Sequence, residues 1–324
     1  MPAPVRIAAL SASPSLDITY VVDELTLGAI HRPTSVIRVA GGKALNAARA
    51  ATTLGADVTV VAMLGGDIGS VVERGAVASG VHISRVDIAA ETRSCVSVLS
   101  VASGGLTEIY EHPTAVSATE WAAALARTDV VLASGVRWLL VSGGMPAQLG
   151  DEALGEVLAL AARRGVCVAL DSHGPALRAA LSAGSPALLK VNRAEAAEVL
   201  GRPVDSPLVD LAFELRERTN GLVVVTDGVG GAIGVSADSA CHVSLTGHTG
   251  AFPVGSGDSF LGALVVALDR NPDGGESLEA AMRLGTAAAT ANAMSPGAAL
   301  FERTAAEALL PEVRVIPVAL RSRG

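Results

Sequence analysis

Late in the chain, residues 252–268 read FPVGSGDSFLGALVVAL. Gly255, Ser256 and Gly257 are small, Asp258 follows, and an apolar run of helical length comes next. Consecutive N–H groups that open a helix make an anion site, and the helix dipole adds about half a positive charge there. Small residues let an anion approach the backbone. Such donors stabilise the charge that develops during phosphoryl transfer. Transfer to an alcohol also needs a base beside the hydroxyl, and an aspartate in the first helical turn is placed to be one. The same residues also serve as a plain helix N-cap, and alone they do not separate the two readings.

A second stretch, residues 40–69, reads AGGKALNAARAATTLGADVTVVAMLGGDIG. Here the glycine pair Gly41-Gly42 precedes a helical pattern, with Lys43 and Asn46 just after it. Other chemistries find less support. No G-x-x-x-x-G-K-[ST] is present, and no G-x-G-x-x-G joins a first strand to a helix. GVGGAIG near residue 230 has the wrong glycine spacing and lies between two strand-like runs. The six histidines are scattered. GDSF, residues 257–260, resembles the nucleophile block of GDS-type esterases, but a serine nucleophile needs a histidine base, and no histidine follows His248.

The bulk composition narrows the classes further. The chain has 324 residues, 50% hydrophobic and 17% charged, which argues against disorder. Aromatic residues are only 2%, so Ala, Val and Leu must build the core. The net charge is −8 and no Lys/Arg cluster is visible, so a nucleic-acid partner is not expected. Cys95, Cys167 and Cys241 are isolated, which argues against disulfides or a zinc site and for buried apolar thiols. The N-terminus is not signal-like and no apolar run is long enough to span a bilayer, so a soluble cytoplasmic protein with no membrane partner is expected.

These candidate residues need elements to hold them. VRIAAL reads as a buried first strand, and residues 43–55 as a helix capped by Gly55. DVTVVAMLG is then a strand and IGSVVERGAVASG a helix. From Ser117 and Glu120, which have capping-box spacing, strands and helices alternate strictly. WLLVSGG, VCVALDS, ALLKVN and GLVVVTDG read as strands separated by helices, followed by AIGVSA, CHVSLTG, a largely helical stretch and a terminal VRVIPVAL. Alternation predicts a mainly parallel sheet covered on both faces, with ligands beyond the C-terminal strand ends. The loops SGG, DSH, KVN and TDG would all face that crevice. Two β-rich patches, about residues 12–40 and 92–113, break the rhythm and predict a small separate sheet.

Residues 40–69 and 254–264 together resemble the two signature segments of the PfkB family, the ribokinase-like carbohydrate kinases. SPSLDITYVVDELTLGAIHR, ETR (residues 91–93), LTEIYE, VSGGMP, LLKVNRAEAAEVLG and VVVTDGVGGAIG resemble further segments of its 1-phosphofructokinase and tagatose-6-phosphate kinase branch. The likeness runs from about Ile7 to Gly297.

The resemblance implies an α/β ribokinase-like fold: a doubly wound, mainly parallel sheet with helices on both faces and a small β-sheet lid. It implies one kinase domain over residues 1–324 that moves the γ-phosphate of Mg-ATP to a sugar hydroxyl. Asp258 would be the base, and the N–H groups of Gly255, Ser256 and Gly257 the anion hole. Asp17, Gly41, Gly42 and Asn46 would hold the sugar, and Ser142 and Gly143 would touch the acceptor. Lys43 and Arg93 would bind a phosphate already on the sugar. Lys190, Asn192 and Glu195 would line the nucleotide phosphates and the water shell of Mg²⁺, with no direct metal ligand. Thr226, Asp227, Gly228 and Gly231 would flank ATP, with Asn292 on the adenine side. The implied acceptor is a ketohexose phosphate: fructose 1-phosphate, fructose 6-phosphate or tagatose 6-phosphate. The alternatives are a kinase of an unphosphorylated sugar or nucleoside, and a non-catalytic sugar-phosphate binder. A lone lid sheet exposes edges and an apolar face, so a homodimer through the lid is expected.

Some positions depart from the branch pattern. Ser13 replaces Asn, and Ser256 replaces Ala. Ala44 replaces a glycine, where a Cβ excludes positive φ or narrows the acceptor pocket. Val191 replaces a proline that would stiffen the backbone. Asp227 stands where Leu is common, and its charge would repel ATP unless it points outward or helps to order Mg²⁺.

Overall fold

The computed structural model describes residues 5–248, 250–270 and 276–320. In chain order its elements are β1 (Arg6–Ser11), β2 (Ser15–Val22), β3 (Ser35–Gly41), α1 (Lys43–Thr53), β4 (Asp57–Leu64), α2 (Gly66–Ala78), β5 (His82–Asp87), β6 (Arg93–Ser100), β7 (Leu106–Tyr110), α3 (Ala118–Leu132), β8 (Trp138–Ser142), α4 (Ala153–Arg164), β9 (Cys167–Asp171), α5 (Gly174–Ala183), β10 (Leu188–Asn192), α6 (Arg193–Leu200), α7 (Leu208–Arg218), β11 (Leu222–Thr226), β12 (Ala232–Val235), β13 (Ala240–Ser244), α8 (Ser256–Arg270), α9 (Glu276–Ala293), α10 (Arg303–Leu309) and β14 (Arg314–Pro317).

The large sheet runs β14-β13-β12-β11-β10-β9-β8-β1-β4-β5. From β5 to β11 the strands are parallel, and β12, β13 and β14 add antiparallel pairings at one edge. Central strands are apolar on both faces, as helices on both sides require. Ile7 and Ala9 of β1 join one core with Leu261, Leu264 and Val265 of α8. Ala8 and Leu10 join the opposite core with Leu154 and Val157 of α4. Strand order reverses at β1, which lies between β8 and β4. The carboxyl ends of the strands on the β8 side are in register, with Ser142 opposite Asp171 and Asn192 opposite Thr226. Their loops therefore open onto one crevice.

The second sheet runs β3-β2-β6-β7 and takes all its strands from the two β-rich patches. The pair β2–β6 is parallel and the other two pairs are antiparallel. One of its links to the main body is β3, which ends at Gly41, with Gly42 then capping α1. Ser117 and Glu120 form the expected capping box on α3. The thiols correct the sequence reading in part: Cys95 and Cys241 are buried, but Cys167, which opens β9, is exposed. Among the described residues, no helix is long and apolar enough to cross a membrane.

Candidate active site

Two helices bring the two glycine-rich segments together. Gly262 of α8 faces α1 so closely that a Cβ there would collide with the carbonyl oxygen of Ala47. Gly262 lies one turn after Asp258, and Ala47 directly follows Asn46, so this close approach sets the side chains of Asn46 and Asp258 against each other. The Asn46 Nδ2 donates to Asp258 Oδ2 at 2.9 Å. Asp258 is 6% exposed and faces a cluster of charge at the strand ends.

At the centre of that cluster is Asp171, at the end of β9 and wholly buried. It accepts from Lys190 Nζ at 2.5 Å and from Lys43 Nζ at 3.2 Å. Glu195 also lies 3.7 Å from Lys43. Burial alone would raise the Asp171 carboxyl, but the two lysines outweigh it and hold it below the ordinary value. In turn Asp171, more than any other cause, pushes the Lys43 ammonium up. Asp258 receives the opposite treatment. Burial first, then repulsion by Asp171, push its carboxyl up to about 6, against the pull of Lys43, the Asn46 hydrogen bond and Lys190. Two buried carboxylates are thus driven apart in acidity, the pattern that divides structural acids from bases. Burial of a Leu or Val side chain contributes about 1.5–3 kcal/mol. The fully buried Leu261, Leu264 and Val265 on the same helix therefore offset the cost of keeping Asp258 dry.

The turn before α8 is built around glycines. Gly255 has φ +80°, and a Cβ there would press on the backbone of Ala298 and Ala299. The Lys190 ammonium lies over Gly257, 2.8 Å from where a Cβ would stand. One of the three candidate donors is already engaged: the Ser256 N–H bonds to Pro253 O at 3.1 Å. Asn292, expected on the adenine side, spends its amide on the protein itself. It is fully buried, donates to Val254 O and Ser256 Oγ at 2.9 Å each, and accepts from Ala299 N at 2.6 Å. With its amide satisfied on both ends, it braces the turn from behind.

The small sheet supplies a second group of side chains. Asp17 on β2 accepts from Ser15 Oγ at 2.6 Å. Gly41 passes so close to this carboxylate that a side chain there would collide with it. Burial raises the Asp17 carboxyl, against the Ser15 hydrogen bond, Arg49, Arg93 and the Gly42 backbone. Asp17 lines a pocket with Thr19, Cys95, Tyr110, Phe252 and Gly297. Arg93 opens β6 and donates to Glu111 O at 3.0 Å and Ser13 O at 3.5 Å. Among the described residues no carboxylate forms an ion pair with it.

Asn192 and Glu195 are partly occupied with each other. They form a reciprocal capping box on α6, with bonds of 2.9 and 2.8 Å. Ser142 lies at the end of β8 with its hydroxyl buried and unpaired, and Gly143 stacks on the Lys43 side chain. Thr226, Gly228 and Gly231 lie around the turn from β11 to β12. Asp227 in that turn is clamped by Arg193, at 2.7 and 2.8 Å, so its charge is neutralised within the protein. Ala44 is buried in α1, and among the described residues Ala299 is the only non-glycine with positive φ. Val191 is held by parallel pairing with Val225, so the sheet fixes the backbone that a proline would otherwise stiffen.

Sequence reasoning left two central residues unassigned. Asp171 had a usable signal, an aspartate ending a strand at the crevice. Arg49 had another, a charge three residues after Asn46 on the same helical face.

The chain matches the pfkB family carbohydrate kinases over residues 11–305. It is 31% identical over 316 residues to a 1-phosphofructokinase of Rhodobacter capsulatus, covering 96% of this chain and 98% of that protein. Phosphofructokinase-2 of Escherichia coli, solved in complex with potassium, has a TM-score of 0.86 at 27% identity over 95% of this chain and 98% of that one. The same enzyme has also been solved with fructose-6-phosphate and as a tetrameric inhibited form. A possible 1-phosphofructokinase of Thermotoga maritima shares the fold, with a TM-score of 0.88 at 20% identity over 97% of this chain and all of that one. With the doubly wound sheet and both glycine-rich segments converging on Asp258, the chain belongs to the pfkB family of carbohydrate kinases, phosphotransferases that act on a sugar hydroxyl, and ATP is the co-substrate that kinase chemistry implies.

Proposed function

We propose that this protein is an ATP-dependent kinase of a ketohexose phosphate: fructose 1-phosphate, fructose 6-phosphate or tagatose 6-phosphate. The observation that carries the phosphorylated acceptor is Arg93. Its guanidinium bonds only to backbone carbonyls, no described carboxylate pairs with it, and its charge reaches Asp17. An uncompensated arginine fork beside a sugar-binding carboxylate fits a second phosphate on the sugar. The similarity to 1-phosphofructokinase and phosphofructokinase-2 points the same way.

In this reading Asp17 accepts hydrogen bonds from the sugar, with Gly41 and Gly42 close by, and Arg93 holds its phosphate. Asp258 takes the proton of the reacting hydroxyl. The new O–P bond forms as the bond from the γ-phosphorus to the β-bridging oxygen breaks, and ADP leaves. Lys43, which the resemblance assigns to the phosphate already on the sugar, is drawn to Asp171 and Glu195 instead, and together with Lys190 and the N–H groups around Gly257 it offsets charge on the transferring group. Mg²⁺ fits the donors present: Asp171 is consumed by lysines, Glu195 retains an oxygen outside its cap, and Asn192 lies beside it. Such a sparse set suits an ion held through phosphates and waters, and the bound ion would neutralise phosphate charge. The four-stranded sheet serves as the lid over the acceptor, part of a single kinase unit.

The test is ADP release from Mg-ATP with fructose, its 1- and 6-phosphates, tagatose 6-phosphate, ribose and adenosine. Turnover on a phosphorylated sugar, a KM for that sugar raised about 10- to 100-fold by Arg93→Ala, and loss of turnover in Asp258→Asn support the reading. Turnover only on unphosphorylated acceptors removes the role given to Arg93. Tight sugar-phosphate binding without turnover turns the protein into a binder.

A further inference from the structure

Arg49 is the most deeply buried arginine around the site, at 3% exposure, and the phosphoryl-transfer scheme above gives it no task. Its contacts are unlike those of a structural ion pair. Nη1 donates to Ala40 O at 2.7 Å, and Nη2 donates to Asn46 Oδ1 at 2.7 Å and to Ala298 O at 2.8 Å. Its Nε is buried without a partner. Among the described residues no carboxylate forms an ion pair with it. A buried cation with no bonded counter-charge is costly to fold.

The three acceptors lie on different parts of the site. Ala40 directly precedes Gly41, the glycine that abuts Asp17. Ala298 belongs to the loop that abuts Gly255. Asn46 is the residue that meets Asp258. We propose that Arg49 is the positioning residue that fixes the Asn46 amide, and through it the Asp258 carboxylate, in register with the end of β3 and the turn before α8.

The polarity of the chain supports this. An asparagine amide has a donor end and an acceptor end of nearly the same shape, and a guanidinium has donors only. With Arg49 on its oxygen, Asn46 must turn its NH₂ toward Asp258. The flipped amide would set donor against donor and oxygen against carboxylate. A lysine in place of Arg49 keeps the charge but has one nitrogen for three acceptors, so it cannot hold the carbonyls and the amide together. Asp17 and Asp258, the carboxylates proposed to bind the sugar and to take its proton, both act electrostatically on this guanidinium.

The inference rests on the kinase reading, so the experiment begins with wild-type turnover. If the wild type transfers phosphate to no acceptor, the kinase reading fails. If it does turn over, Arg49→Lys, Asn46→Ala and the double variant are compared in kcat, KM and melting temperature. The expected result is a kcat lowered about 10- to 100-fold in R49K, with KM for ATP within about twofold. In the Asn46→Ala background the same substitution should cost kcat almost nothing further, because its effect passes through that amide. Arg49→Gln, uncharged and with a single amide group, stands in if R49K does not fold.

The pH profile gives a second readout. The charged groups facing Asp258 are Asp171 from β9, Lys190 from β10, and Lys43 and Arg49 from α1, with Glu195 of α6 beside Lys43. Removing the Arg49 cation leaves Asp258 harder to ionise, so the acidic limb of kcat/KM should move to higher pH in R49Q and stay near its wild-type position in R49K. A lowered melting temperature with kcat and the acidic limb unchanged would make Arg49 a packing residue and overturn the inference. Equal losses of kcat on adding R49K to wild type and to Asn46→Ala would also overturn it.

Discussion

Asn46 and Asp258 are 212 residues apart in the chain and hydrogen-bonded at 2.9 Å. Each belongs to one of the two glycine-rich segments. Neither segment makes a site alone: the first helix brings an amide donor, the second a carboxylate that needs one.

The first prediction follows from the raised pKa of Asp258, about 6. A base must be ionised to act, so kcat/KM should rise with pH through an acidic limb near that value. Stability should move the other way. The folded carboxyl binds its proton more tightly than an unfolded aspartate near 3.9, so its contribution is present at low pH and lost as pH rises from about 4 to about 6. Asp258→Asn should therefore abolish turnover yet unfold later than wild type at neutral pH, by roughly 1–3 kcal/mol. The gain should vanish near pH 4. An inactive variant that is also less stable at pH 7 would mean that Asp258 is not a strained base.

Asp171 carries a different prediction. Lys190 has a side chain only 6% exposed and relies on this carboxylate. Asp171→Asn should destabilise the fold by on the order of 3 kcal/mol, since it strands a buried ammonium. It should also make Asp258 easier to ionise, because the nearest like charge is gone. The acidic limb of any residual activity should then shift to lower pH. A limb that stays in place would show that burial alone sets the acidity of Asp258.

The architecture was legible because its signals are local. Alternating apolar runs, the capping box at Ser117 and the glycine after α1 each act over a few residues, and the two β-rich patches differ from the rest by their broken rhythm. The pairings of charge were not legible. That Lys43 turns to Asp171 and Glu195, 128 and 152 positions further along, depends on where three strand ends meet. Asn292 lay in an apolar helical run that gave no hint of its hidden partners, and its role as a brace emerged only from the path of residues 297–299. Arg49 stands among alanines on α1, and its burial comes from segments distant in the chain, the loop at Ala298 among them.

Asp227 gives a prediction about the nucleotide. Its carboxylate would repel ATP phosphates, and Arg193 cancels that charge through two bonds. Arg193→Ala should raise the KM for ATP about 5- to 30-fold, a cost of about 1–2 kcal/mol at a partly exposed site. Adding Asp227→Leu should restore it, because the liberated charge is then gone. A double variant as weak as Arg193→Ala would assign the loss to the α6 backbone, which Arg193 also ties to Ser206.

The small sheet carries the last prediction. Its inward side presents Asp17, Cys95 and Tyr110 to the pocket. Strand alternation then sends Ile18, Val96 and Ile109, which are in register across three strands, to the outer side. Val36, Tyr20 and Val98 form a second apolar row beside them. Ile109 is 65% exposed and Val36 is 38% exposed. An apolar sheet face of this kind, with Leu27 and Ile30 exposed in the adjoining loop, calls for a cover, and a second copy of the same sheet supplies a self-complementary one. The protein should elute from a sizing column as a dimer at micromolar concentration, and Ile109→Lys should shift it toward monomer. Because Ile109 precedes Tyr110, loss of the dimer should also loosen the acceptor wall and raise the KM for the sugar more than that for ATP. A wild-type monomer would rule out the pairing, and a monomeric Ile109→Lys variant with unchanged kinetics would show that the lid holds its shape without a partner.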